Sequence, residues 1–530
     1  MNAMKTTIAM CVLAGTVGAL ALAGCQAGVR RHGRTACEIY SVPACERIYD
    51  GYTVKVCGRD VPVSEARCSA MPFNRRWPGH QRSIDQSEQT GMVRFAFDGT
   101  ARVEVTAKKE FKDVKIRPLS RGVKPRVNGR TVTFDITRPG GYSVEFDGYH
   151  HNLHVFADAK KDYGIGPEMP GVRYFGPGAH NIGITQVKSG ETIYLDPGAI
   201  VYGALDILNA TNVTILGRGI LDSSRVKARI KYEAKVTDEM REKSQHGQMA
   251  VLNAERHHAV SIRRSKGVRI DGLTLRDANC YNIGAYGVED IEIDNVKIVG
   301  QWRYNTDGID LHNVRHARVR DCFARTFDDT YCVKAHGAYK TDSEDVVFER
   351  CVAWSDWGKS LEVGVECQAE HLRDLTFRDC DVIHSVVKAL DVQNVDWGSV
   401  SNVLFEDIRF ENDDPMPCTQ LQKQFDEKDP FVAKYRKAFH FFEAKLFFHP
   451  EYSTERGEKY RGAGHIDGVT LRNVSVTSAV PVYASAIGFD EKHRVTGVTF
   501  ENVTVNGRKI ASAKDLDALN VKFADAPTFK

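Results

Sequence analysis

Apolar and polar residues alternate with period two along much of the chain, and the alternating phrases recur. GVRIDGLTLRDA, DIEIDNVKIVG, HARVRDCFART, DVVFERCVAWS, DLTFRDCDVIH, NVLFEDIRFEN, GVTLRNVSVTS and GVTFENVTVNG follow one scheme. Their equivalent apolar anchors are Ile270, Ile293, Val319, Phe348, Phe377, Phe405, Leu471 and Phe500, spaced 23 to 29 residues apart apart from one gap of 66. Alternation of this kind predicts short strands with one buried face. A fixed period of this length predicts stacked coils of such strands, a parallel β-helix. β-Branched and aromatic residues dominate the phrases, which excludes leucine-rich and helical repeats. Phe348, Phe377 and Phe405 are expected to stack on successive coils.

Ahead of the repeats, residues 25–157 carry a different pattern. MVRFAFDG, ARVEVTAKK, VKIRPLS, RTVTFDI and YSVEFDG are alternating runs separated by turn residues, which predicts a small antiparallel β-sandwich. Val127-Asn128-Gly129 between two runs is a type I′ hairpin signal. FNRRWPGHQRSID at 73–85 is too polar and proline-rich for a strand and is expected to be a loop between domains. DYGIGPEMPGVRYFGPGAHNIG marks the domain boundary, and the solenoid is assigned 158–510. Two stretches, about 223–258 and 413–464, break the period and are expected to be insertions. Residues 511–530 are expected to form a polar tail. The fold class is therefore all-β, a parallel β-helix preceded by a β-sandwich.

Composition adds the compartment. Lys5 followed by an apolar run from Ile8 to Ala21 has the form of a signal segment spanning 1–24. It ends in Leu22-Ala23-Gly24-Cys25, which resembles a bacterial lipoprotein cleavage box with Cys25 as the lipidated residue. Export and anchoring to a membrane surface through that lipid are the expectation. A formal net charge of +3 gives no support to nucleic-acid binding. Oligomeric state is not legible. Of 13 cysteines, Cys322, Cys351 and Cys380 each fall three residues after an anchor. Other repeats have Leu273, Val296, Ile408, Val474 or Val503 there, so these thiols are expected to be buried as small hydrophobes. Cys37, Cys45, Cys57 and Cys68 are the disulfide candidates, with three possible pairings.

The candidate chemistry is concentrated in Tyr304 to His336, YNTDGIDLHNVRHARVRDCFARTFDDTYCVKAH. Asp307 and the pair Asp328-Asp329 are one coil apart, which places their carboxylates on neighbouring rungs about 5 Å apart. Clustered carboxylates repel one another, so one keeps its proton for donation while another acts as a base. This is the equipment of an inverting glycosidase, which protonates the leaving oxygen and activates a water on the opposite side. Adjacent residues of a regular strand face opposite ways, so Asp328 and Asp329 share a site only if the chain turns there.

Asn305-Thr306-Asp307, then Asp328-Asp329, then Gly358-Lys359-Ser360-Leu361-Glu362-Val363-Gly364 resemble, in order and spacing, the active-site signature of glycoside hydrolase family 28, the polygalacturonases. The resemblance covers roughly residues 160–510. A β-sandwich ahead of the solenoid is also similar to family 49, the dextranases and isopullulanases. The resemblance implies a right-handed parallel β-helix, a polysaccharide or oligosaccharide substrate, no cofactor and no metal. It makes Asp328 the general acid and gives the water to Asp307 and Asp329. The sequence departs from family 28 twice. Gly358-Lys359-Ser360 replaces a Gly-His-Gly, and Val386-Val387-Lys388 lacks the arginine of an Arg-x-Lys that grips a uronate. Arginine's bidentate grip is not reproduced by lysine. Asn305, Lys334, His336, Lys359, Glu362 and Lys388 are the candidate substrate-binding residues. For His336 a turn role competes, for Lys388 a solvated surface, and for Glu362 and Glu366 a solvent-facing strand position. Trp302, Tyr304 and Tyr281 are either sugar-stacking or coil-edge aromatics. A polysaccharide lyase and a non-catalytic glycan-binding solenoid are the rival functions.

Overall fold

The computed structural model describes residues 37–70, 84, 87–226, 257–303, 305–416, 439–448 and 461–530. The expected signal segment with Cys25, most of the expected loop 73–85 and much of both expected insertions lie outside the described residues, as does Tyr304.

The repeats form a parallel β-helix with three strands per coil. First strands stack into one long parallel sheet, in which the anchors are partners in unbroken register from Ile270 to Phe500. Their side chains fill the interior: Phe348 and Phe377 stack at 5.0 Å, Phe377 and Phe405 at 5.2 Å. Cys322, Cys351 and Cys380 are buried free thiols in the same core.

Each first strand must then bend into the second. Two residues after the anchor the backbone takes positive φ, at Asn295, Asp321, Asp379, Asp407, Asn473 and Asn502. Asn and Asp tolerate that region better than other side chains, which is why the phrases carry them there. Gly272 and Arg350 also take positive φ there without being Asn or Asp. The amides at these bends stay paired, each donating to the next coil: Asp321 to the Glu349 carbonyl, Asp379 to that of Glu406.

Three boundaries differ from expectation. Phe439–Leu446, inside the expected insertion 413–464, is a full rung, pairing with Lys388–Asn394 before it and Val482–Ile487 after it. The 66-residue gap is thus one complete coil carrying inserted segments on both sides of that strand. The expected tail is also structural: Ala518–Lys522 pairs with Val482–Ile487, and Phe529 extends the anchor column, stacking on Phe500 at 5.1 Å. The sandwich runs on to Ala159, and the stack begins at Val172–Phe175.

The N-terminal domain consists of two mainly antiparallel sheets enclosing Val54, Phe95, Val103, Phe134, Tyr142 and Val155 among others. Arg126–Asn128 and Thr131–Ile136 form the expected hairpin. Of its two loop residues only Gly129 has positive φ (57°), so the turn is not type I′, which needs positive φ at both. Cys37 pairs with Cys57, while Cys45 and Cys68 are free.

This domain packs on the second strands of the solenoid. Met92 and Phe156 meet Phe323, Phe327, Trp354 and Trp357 in one apolar cluster. Buried ion pairs cross the same boundary. Arg276 reaches Glu46 and Asp222, Lys297 pairs with Asp158, and Arg325 donates to Asn152 at 2.7 Å and pairs with Asp356.

Candidate active site

The acidic residues gather where second strands give way to third strands. Asp307 immediately precedes Ile309–His312, and Asp328-Asp329 precede Tyr331–Ala335 on the next coil. Between Phe323–Thr326 and Tyr331–Ala335 the chain bends at 327–328. This supplies the turn that Asp328 and Asp329 need to serve one site. The bend is tied down through the Asp328 carbonyl, which accepts from the hydroxyls of Thr326 (2.7 Å) and Ser355 (3.0 Å). Two glycines let the coils close on it. A Cβ on Gly308 would fall 2.2 Å from the Thr330 carbonyl oxygen, and one on Gly358 would fall 2.5 Å from the Asp329 nitrogen. Asn305, in the turn leading to Asp307, adopts φ of 54°.

Lys334 binds the cluster together. Its Nζ lies 2.9 Å from Asp310 Oδ2, 3.3 Å from Asp329 Oδ2 and 3.6 Å from Asp307 Oδ2. On the next coil the Lys359 amide donates to Asp329 Oδ1 at 3.1 Å, and its Nζ pairs with Glu362 at 2.6 Å. One coil further, Lys388 pairs with Glu443 at 2.6 Å. Lys334, Lys359, Glu362 and Lys388 are therefore brought to the trio's side of the solenoid, and Glu362 and Lys388 are not solvent-facing. His336 is placed in the turn beyond Tyr331–Ala335, where its Nδ1 accepts from the Ala338 amide. Trp302 is buried and donates to Asp277, a coil-edge position, and Tyr281 stacks on His258 at 4.8 Å.

Burial separates the carboxylates electrostatically. Burial, with Asp310 and Asp328 nearby, pushes Asp307 well above the usual carboxylate range. Burial acts in the same sense on Asp329, but Lys359 and Lys334 overcome it and hold Asp329 well below its ordinary value. Asp329 is thus held towards its ionised form and Asp307 towards its protonated form. Glu362 is raised well above its usual range by burial and by Asp329. Burial disfavours charge on Lys334 and Lys359, yet the surrounding carboxylates raise both well above the ordinary lysine value. Asp307 Oδ1 and Asp310 Oδ1 are buried and make no hydrogen bond. Asp329, Cys332 and Glu362 offer ligand atoms within 4.8 Å of one another. The charge that a cation would balance there is already met by Lys334 and Lys359.

The sequence did not single out Asp310, Asp391 or Glu443. All three are outward positions of alternating strands: Asp310 sits between inward Ile309 and Leu311, and Asp391 between Leu390 and Val392. Only the register reveals them as one column, in which Asp310 pairs with Cys332, then Glu362, Asp391 and Glu443.

Residues 205–430 match the family model of glycosyl hydrolases family 28. The chain is similar to a dextranase of Arthrobacter sp. (strain CB-8), 24% identical over 264 residues, 46% of this chain and 38% of that protein. It is also similar to an exopolygalacturonase (clone GBGE184) of Arabidopsis thaliana, 26% identical over 156 residues, 29% of this chain and 35% of that protein. In each case the match spans well under half the relative's length. Among solved structures, Dex49A from Penicillium minioluteum shares the fold, with a TM-score of 0.55 at 16% identity over 93% of this chain and 96% of that one.

Proposed function

We propose that this protein is a glycoside hydrolase that cleaves α-glycosidic bonds of a polysaccharide or oligosaccharide with inversion. The observation that carries the reading is the buried convergence of Asp307 and Asp329 on Lys334, with Asp328 on the same bend and close enough to raise Asp307. Asp328 donates a proton to the glycosidic oxygen as the bond to the anomeric carbon breaks. Asp329, ionised, takes a proton from the water that attacks that carbon from the opposite side, and Asp307 holds this water. Two carboxyl groups acting on opposite faces of the sugar give the inverted anomer.

The electrostatics weigh against a lyase. Proton abstraction beside a uronate needs a base that is neutral near working pH, whereas Lys334 and Lys359 are held in the charged form. Within the hydrolase reading, a dextranase-like action on an uncharged glycan has more support than a polygalacturonase-like one. Lys388, at the position of the missing Arg-x-Lys, is engaged by Glu443, and Lys359 by Glu362. Neither is a spare cation for a uronate carboxylate.

The test is reducing-sugar release from dextran, pullulan and polygalacturonan, with the anomer followed by proton NMR. Wild type should release the α-glycan's product as the inverted anomer, without new absorbance at 235 nm. Asp328→Asn should lose at least about 10²-fold in kcat, the scale of general-acid catalysis. A retained anomer, or rising absorbance, rejects the mechanism.

A further inference from the structure

We infer that Asp391, with Lys359 and Lys388 beside it, forms a subsite that binds hydroxyl groups of an uncharged sugar residue, two coils beyond Asp329. This rests on the glycoside hydrolase reading above and assigns part of its substrate recognition.

Asp391 is fully buried, and neither of its carboxylate oxygens makes a hydrogen bond. A buried, unsatisfied polar group costs about 1–3 kcal/mol, and more when charged, so its vacancy calls for a partner. Two ammonium groups stand close by. Lys388 Nζ is 3.8 Å from Oδ1 and Lys359 Nζ is 3.9 Å from Oδ2. These distances are too long for direct hydrogen bonds. They leave each ammonium and carboxylate oxygen within reach of one ligand oxygen that sits beside the pair and hydrogen-bonds to both. Each lysine already gives one donor to its own glutamate at 2.6 Å, Lys359 to Glu362 and Lys388 to Glu443. An ammonium has three donors, so each lysine retains donors for a ligand.

The ligand's chemistry follows from the charge balance. A hydroxyl donates to the carboxylate and accepts from the ammonium, which satisfies both sides of the gap. A uronate carboxylate only accepts. It would also join the carboxylates of Asp391 and Glu443, whose charge the two lysines already balance. Like charges packed this closely disfavour a further anion. The Lys359 and Lys388 side chains are 14% and 13% exposed, so a ligand would reach Asp391 past these two lysines. Asp391 and Lys388 are partners of Glu362 and Lys359 on the adjoining rung. The subsite is thus the direct continuation of the rung that contacts Asp329, as a bound glycan chain along the solenoid requires. Burial pushes Asp391 up to about 6 despite Lys388 and Lys359, consistent with a carboxyl whose partner is missing.

The experiment is calorimetric binding to the full chain carrying Asp328→Asn, with isomaltotetraose, maltotetraose and tetragalacturonate as probes. At least one neutral probe should bind, and tetragalacturonate should bind at least about tenfold more weakly. Adding Asp391→Asn should weaken neutral binding about tenfold or more, the scale of a hydrogen bond to a charged group. It should leave tetragalacturonate equal or tighter, a response that a purely structural role does not give. In the otherwise wild-type enzyme the same change should raise KM and leave kcat within about threefold. Should Asp391→Asn unfold, Lys388→Gln, which keeps a donor of similar reach, is expected to weaken neutral binding several-fold. Tetragalacturonate binding as tightly as the neutral probes, no binding of any probe, or folded variants that bind as their parent would each overturn the subsite. Hydrolysis by the wild type is scored separately. Binding that depends on Asp391 without hydrolysis rejects the catalytic reading and keeps the subsite, and hydrolysis with indifferent variants does the reverse.

Discussion

A residue's meaning in this solenoid depends on what lies one rung above and below it. Asp307 and Asp329 have the same chemistry and share one lysine, yet one is pushed towards its protonated form and the other towards its ionised form. The difference is position: Asp307 faces Asp310 and Asp328, whereas Asp329 faces Lys359 as well as Lys334. The trio was legible because its members stand in a dense local pattern, Asn305-Thr306-Asp307-Gly308 and Asp328-Asp329. Asp310 and Asp391 were not, since a single acid at an outward strand position looks the same whether it meets water or a neighbouring lysine. Glycine enters the same argument. Gly308 is required not by its own conformation but by the Thr330 carbonyl 2.2 Å from where a Cβ would sit. Gly308→Ala should therefore push away the rung that carries Asp329 and lower kcat by about 10²-fold, the scale of a misplacement near 1 Å. Circular dichroism should change little while the melting midpoint falls, so kcat is compared at a temperature where the variant is folded, and activity within threefold of wild type there would refute this use of the glycine.

At the scale of elements, the first strands were the readable part. Their anchors, the polar residue two places on and the thiol or aliphatic residue three places on form a phrase that fixes register by burial alone. Third strands carry no such phrase. Phe439–Leu446 was therefore lost among inserted residues, although its alternation supplies Phe442 and Ala444 to the core and Glu443 to the acid column. The final strands were missed because a short, polar-looking segment does not reveal that it closes a stack. The second strands have the least obvious duty. They hold the sandwich on one side and lead into the bend that carries Asp328 and Asp329 on the other. Phe327 and Trp357 stack at 5.3 Å in the cluster shared with Met92 and Phe156, and they directly precede Asp328 and Gly358. Trp357→Ala should cost about 3–5 kcal/mol as a buried aromatic truncation. Phe377→Ala, in the distant anchor ladder, should cost a similar amount. Only Trp357→Ala should also reduce kcat at a temperature where both variants remain folded. Equal kcat in the two would show that the sandwich does not brace the site.

For the whole molecule, the junction of sandwich and solenoid sets how stability responds to pH. Arg117, on the sandwich strand Val114–Arg117, is fully buried against Glu145 of its own domain and against Glu411 and Asp413 of the solenoid. One guanidinium cannot balance three carboxylates. Despite burial, His384 and Arg117 draw Glu145 down to about 2, and Arg117 and Lys115 do the same for Asp413. Glu411 is left with the surplus proton, and burial pushes it up to about 7 even beside Arg117. The sign follows from proton counts. Between the ordinary value of 4.5 and about 7 the folded protein keeps a proton on Glu411 that the unfolded chain has released. Folding then binds more protons than unfolding, so stability falls as pH rises through that window. The total should be on the order of 3 kcal/mol. Glu145 and Asp413 act oppositely: the stability they contribute is present above their ordinary values and fades as pH falls towards 2. Glu411→Gln should therefore flatten the decline of the melting midpoint between pH 4.5 and 7. Glu145→Gln should lower the midpoint throughout while leaving that slope in place. Because Arg117 ties the two domains, both effects should appear in one cooperative transition followed by calorimetry. A separate sandwich transition, or a wild-type midpoint that climbs between pH 4.5 and 7 and is unchanged in Glu411→Gln, would show that this junction does not govern the response.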